Sequence, residues 1–194
     1  MEQAFASLFV IIDPVGNILV FHLYSRHFGT RQRLIAASIA VLAAFVMLVT
    51  FSLGGQEALD FLGISSSSFR VAAGLLLLPP AYRLVTEGEP APSDADHSRE
   101  PIDFALVPLA TPLIAGPGAL AATASFAVTE GSAETIGAVA IVLAITFVAF
   151  ATAGTIFRLL GEPFLRLASR IVGIVLFAIA VDFILDGLQE VFRG

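Results

Sequence analysis

Hydrophobic residues come in long blocks along this chain. Residues 34–56, 104–129 and 135–157 carry no charge at all. Residues 4–24 hold a single charge, Asp13; residues 69–86 are apolar apart from Arg70 and Arg83 near the two ends; residues 171–181 are apolar, and the run continues past Asp182 to Leu185. A bilayer core of about 30 Å takes roughly 20 apolar residues as helix. The pattern therefore predicts six spans, near 4–24, 34–53, 69–86, 104–128, 135–157 and 171–185, the third being the least apolar. The opening "MEQAFASLFV" has no basic leader and reads as the first retained span.

Three spans precede the polar stretch "TEGEPAPSDADHSREPID" (86–103) and three follow it. Its Pro, Ser and acidic content reads as a solvated tether, with His97 solvated within it. The expected organisation is a first three-helix repeat at 1–85, an acidic loop at 86–103 and a second repeat at 104–194. Arginine placement sets the orientation. Arg26, Arg31, Arg33, Arg83, Arg99, Arg158, Arg166 and Arg170 fall on one side, and Arg70 and Arg193 on the other. The odd-numbered loops are thus expected in the cytoplasm and both termini outside.

The two halves echo one another. "SSFRVAAGLLLL" (67–78) matches "ASRIVGIVLFAI" (168–179), each with a small polar residue near an arginine, Arg70 or Arg170, followed by a small-residue patch. The first span is interrupted at Asp13–Asn17, and the fourth at "PLATPLIAGPGAL" (108–120). A unit with an odd number of spans, repeated in tandem, must invert across the membrane. Pro14 cannot donate an N–H and obstructs the preceding turn. Pro108, Pro112, Gly116, Pro117 and Gly118 do this more severely in the fourth span. The freed backbone groups cannot face lipid. A helix restarting after such a break offers N–H groups and a positive dipole end to a carboxylate, while unwound carbonyls suit an ammonium or a cation. Paired breaks in inverted repeats point to a transporter substrate site.

Composition narrows the function. Hydrophobic residues make up 57% of the chain and charged ones 13%, with mean hydropathy +0.92; soluble domains carry about 25% charged residues. There is no cysteine, all ten basic residues are arginine and the net charge is −6. Thiol chemistry and thiolate metal sites are excluded, and nucleic-acid binding is disfavoured. No metal-ligand spacing, cofactor motif or catalytic set emerges, so neither a metal, a cofactor nor an enzyme is expected.

The segments "FVIIDPVGN", "FRVAAG", "VPLATPLIAGPGA" and "SRIVGIVLFAIAVDFILDG" resemble the signature segments of the MarC family over essentially the whole chain. The resemblance implies a six-helix inner-membrane protein, in the characterised branch a proton-linked carrier of glycine, alanine and other small neutral amino acids. It carries over onto Pro14, Gly16, Asn17, Pro112, Gly116, Pro117, Gly118, Arg70, Arg170 and Asp186. Asp13 departs from it, since the family motif usually reads Asn-Pro-Ile-Gly-Asn, and Asp182 stands where a neutral polar residue is more usual.

The expected site is substrate-binding at Pro14, Gly16, Asn17, Pro112, Gly116, Pro117 and Gly118, with proton or sodium coupling at Asp13 and Asp182. An ionised Asp at mid-span costs about 2.5–3.5 kcal/mol on insertion scales. Asp13 is therefore either a coupling acid or one half of a structural pair with Asn17 or an arginine. Arg70 and Arg170 either take a substrate carboxylate or snorkel to the interface. His22 reads as interfacial, Ser65–Ser68 as a cap for span three, and Ala36, Ala40 and Ala44 as a close-packing stripe. The expected partners are a small amino acid, a coupling ion, the lipid bilayer and, as an option, a second copy of the chain. Competing readings are an exporter of another solute, a membrane scaffold with dry, tightly packed breaks, and, least supported, an intramembrane enzyme.

Overall fold

A computed structural model describes residues 2–86 and 100–193; residues 87–99, most of the expected acidic tether with His97 and Arg99, lie outside the described residues. The described chain is helical throughout, without a strand. Its elements are α1 (Glu2–Ile12), α2 (Pro14–Ser25), α3 (Thr30–Leu62), α4 (Ser66–Thr86), α5 (Pro101–Phe104), a π-type segment (Ala105–Ile114), α6 (Pro117–Thr129) and α7 (Ser132–Arg193).

Among the described residues, three stretches are long and apolar enough to cross a membrane: Glu2–Ser25, Thr30–Gly55 and Ser132–Phe192. The expected fourth span is divided among α5, the π-type segment and α6. The cause is local. Val107 (φ −139°, ψ 116°) and Thr111 (φ −135°, ψ 125°) leave helical geometry, and each precedes a proline, Pro108 or Pro112. A proline's ring pushes the residue before it out of the α region.

The expected fifth and sixth spans join in α7, which breaks only at Gly161 (φ 75°, ψ 165°), a conformation open to glycine alone. The sequence pattern placed a connection across 158–170, but helix resumes immediately after the glycine. Pro163 sits in its first turn, where a missing N–H is harmless. Glu162 and Arg166 pair at 2.6 Å one turn apart. Both charged residues belong to the helix, so the pattern of charges misplaced its start.

The exterior is apolar. Leu42 is 65% exposed, Val148 58% and Ile174 60%, which suits lipid and would be a large adhesive surface in water. Inside, Ala36, Ala40 and Ala44 of α3 are fully buried, as the small-residue stripe predicts. Ser65 accepts the Ser68 backbone N–H at 3.2 Å and so caps α4.

The most extensive contact joins α4 to α7. The two helices run antiparallel and meet at three glycines. A Cβ on Gly74 would lie 2.5 Å from the Ala180 carbonyl, one on Gly187 2.7 Å from the Ser67 carbonyl, and one on Gly173 2.7 Å from Leu84 Cβ. Without side chains there, the backbones approach closely and gain dispersion contacts along the seam.

Gly74→Ala should therefore lower the thermal midpoint in detergent, by an amount matching roughly 1–3 kcal/mol of overpacking. Gly137→Ala, where an added methyl meets nothing within 4 Å, should leave it unchanged or slightly raised. Equal responses from the two variants would contradict the seam.

Candidate functional site

The first break is built from Asp13 and its neighbours. α1 ends at Ile12, Asp13 takes a left-handed conformation (φ 48°, ψ 68°), and α2 restarts with Pro14 at its first position. Asp is one of the few side chains that tolerates this region. Its Oδ1 accepts the Gly16 N–H at 2.9 Å, capping α2. Asn17 works in the other direction: its Nδ2 donates to the Ile12 carbonyl at 2.6 Å and so satisfies the end of α1. Both side chains are buried, and the second Asp13 oxygen, Oδ2, is buried without a hydrogen-bond partner. Of the expected structural partners, neither Asn17 nor an arginine takes Asp13; the backbone of Gly16 does.

The second break leads into α6. Gly116 is its N-cap in extended geometry, Pro117 is its first residue, and no side chain caps the N-terminus. Gly118 packs flush on Leu77 of α4, leaving no room for a side chain. The two breaks thus differ: α2 carries its own carboxylate cap, whereas the start of α6 lacks one.

A cavity of about 470 Å³ brings the breaks together. Asp13 and Asn17 line one side, and Gly116, Pro117, Gly118 and Ala119 the other. From there it follows α2 past Val20 to Tyr24, and α4 past Pro79 and Pro80 to Arg83. Ile11 and Ile12, at the negative dipole end of α1, also reach it. Most of the wall is aliphatic, with a few polar groups converging at the breaks, the usual make-up of a small-molecule site.

Pro14 and Gly16 are buried in the first turn of α2 and are not part of the cavity lining. Pro112 belongs to the π-type segment. Arg70 ties helix ends together: its Nε donates to Ser125 Oγ of α6 at 3.2 Å, and its Nη1 pairs with Glu190 of α7 at 3.6 Å. Arg170, Asp182 and Asp186 are exposed on α7, and none of them lines the cavity. Arg83 is the group that sequence reasoning missed as a site residue. Its position near a span end marked it only as a topology signal, and the facing of α4 toward the breaks had no sequence signature. Among the described residues no cluster of acidic and histidine side chains could hold a metal.

Comparison with known proteins agrees with the membrane architecture. The model of the family described as MarC family integral membrane protein matches residues 1–192. A UPF0056 membrane protein of Methanocaldococcus jannaschii is 33% identical, covering 96% of this chain and 94% of its own. One from Archaeoglobus fulgidus is 34% identical over 96% and 91% of the two chains, and one from Bacillus subtilis is 30% identical over 98% and 94%. No solved structure matches the chain. The chain belongs to the MarC family and is an integral membrane protein.

Removing the Asn17 amide should leave the Ile12 carbonyl bare. Asn17→Ala and Asn17→Leu should each lower stability by about 1–3 kcal/mol, read as a lower thermal unfolding midpoint in detergent. Unchanged midpoints in both would show that this hydrogen bond does not hold the break.

Proposed function

We propose that this MarC family protein is a secondary transporter of small neutral amino acids of the glycine and alanine class, working by alternating access around the two helix breaks. The observation that carries the reading is the shared cavity: two interrupted helices, far apart in sequence, present Asp13, Asn17 and the Gly116–Ala119 backbone to one space. A scaffold reading calls for dry, tightly packed breaks, and a cavity at their meeting point speaks against it.

The proposed architecture has six spans in two inverted three-helix repeats, 1–85 and 104–194, joined by 86–103. Pro14 and Pro117 hold equivalent first positions in α2 and α6. Gly74 and Gly173 lie in the antiparallel α4–α7 seam, each against the other's helix. Both features support such a pairing. The arginine distribution supports an orientation with both termini outside, and the cytoplasmic-membrane location is what the family resemblance implies.

In the proposed mechanism the substrate carboxylate sits at the uncapped start of α6, where the N–H groups of the first turn and the helix dipole favour an anion. The ammonium faces the carbonyl end of α1 across the cavity. The free Asp13 oxygen carries the coupling proton or a sodium ion. Gly116, at the N-cap without a side chain, leaves the first turn of α6 open to close approach by a carboxylate.

Purified protein in liposomes should take up labelled glycine or alanine, faster with a pH gradient than without. Asp13→Asn should keep the fold, because asparagine also caps helices and tolerates left-handed geometry. It should nevertheless lose the gradient dependence. Unchanged pH dependence in the variant would remove Asp13 as the coupling acid; no uptake of any small neutral amino acid by the wild type would reject the substrate class.

A further inference from the structure

A second cavity, of about 600 Å³, opens where the end of α2 meets the first turn of α3 and the middle of α7. His22, Ser25, Thr30, Arg33, Thr155 and Arg158 supply its polar lining, and no carboxylate lines it. The transport reading makes no use of it.

The two arginines are arranged alike. Arg33 donates Nε to the Ser25 carbonyl at 2.8 Å, and its guanidinium lies against Gly154, where an added Cβ would be 3.4 Å from Nη1. Arg158 donates Nε to the Gly154 carbonyl at 3.3 Å. In each case the backbone occupies Nε, so the terminal nitrogens of both forks remain for a ligand. Thr30 opens α3, a helix of 33 residues whose positive dipole end adds to the two charges. His22 stacks on Phe157 with ring centroids 4.1 Å apart, and its buried Nδ1 has no hydrogen-bond partner. Two cations, a helix start, two threonine hydroxyls and an unsatisfied imidazole nitrogen with no acid among them form a cradle for an anion.

We propose that this cleft binds a phosphate-bearing anion between Arg33 and Arg158, delivered by a membrane phospholipid. Guanidinium forks match phosphate oxygens in geometry. The lipid source follows from the rim: Leu34, 41% exposed, lines the cleft, and Leu159, 78% exposed, follows Arg158 directly. Acyl chains would cover these side chains while the head group reaches the arginines. The proposal stands whether or not the first cavity transports amino acids.

The test uses the full chain in a neutral detergent. Phosphatidylglycerol, phosphatidylcholine and inorganic phosphate are titrated separately, with the thermal midpoint and lipid adducts in native mass spectrometry as readouts. Phosphatidylglycerol should raise the midpoint and persist as an adduct. Arg158→Gln, at an exposed position whose hydrogen bond lies within its own helix, should fold normally and weaken that binding by about tenfold, the loss expected for one charge-assisted contact. Stabilisation by either phospholipid where inorganic phosphate has no effect assigns the lipid source. Equal stabilisation by inorganic phosphate, lost in Arg158→Gln, keeps the phosphate site but overturns the lipid source. No shift with any of the three, or the same shift in wild type and Arg158→Gln, overturns the proposal.

Discussion

A backbone amide or carbonyl stripped of both water and a partner costs several kcal/mol in an apolar medium. Everything distinctive here follows from how the chain meets that constraint at its two helix breaks. At the first, Asp13 and Asn17 answer each other's problem: one accepts from the start of α2, the other donates to the end of α1. At the second, prolines and glycines leave the start of α6 without a side-chain cap. Both breaks adjoin one cavity, which gives the proposed substrate a place to complete what the protein leaves open.

The surroundings fall into close-packed and open parts. α4 lies tightly on α7 along Gly74, Gly173 and Gly187, and Arg70 ties its start to α6 and the end of α7. Farther along α4, Pro79, Pro80 and Arg83 line the open cavity instead. The same helix therefore serves as a packing partner on one face and a cavity wall on another. This division is why its sequence is the least apolar of the six expected spans: it carries charge and proline that a purely lipid-facing helix would lack.

Much of this was readable from the sequence because proline and glycine act locally. Pro14 and the 108–118 segment announce breaks, Ala36–Ala40–Ala44 announces a packing stripe, and Ser65 announces a cap. What was hidden depends on tertiary placement. Asp13 was open to pairing with Asn17 or an arginine; it bonds Gly16 because its left-handed backbone turns the carboxylate onto the next helix. Asp182, within the last apolar run, was expected as a coupling acid, yet the facing of α7 leaves it exposed and away from the cavity. Arg83 looked like a span-end marker, yet α4 carries it to the cavity. A charge pattern reports depth in a span, and only packing decides which way a side chain faces.

The central claim is that the cavity joining the breaks is a water-accessible amino-acid site. The chain has no native cysteine, so a single thiol can be placed there without background. Leu113→Cys, in the cavity wall beside the second break, should react with a small, membrane-impermeant thiol reagent in unsealed membranes, and saturating glycine or alanine should slow that reaction. A thiol that stays unreactive, or reacts at the same rate with and without these amino acids, would contradict the account.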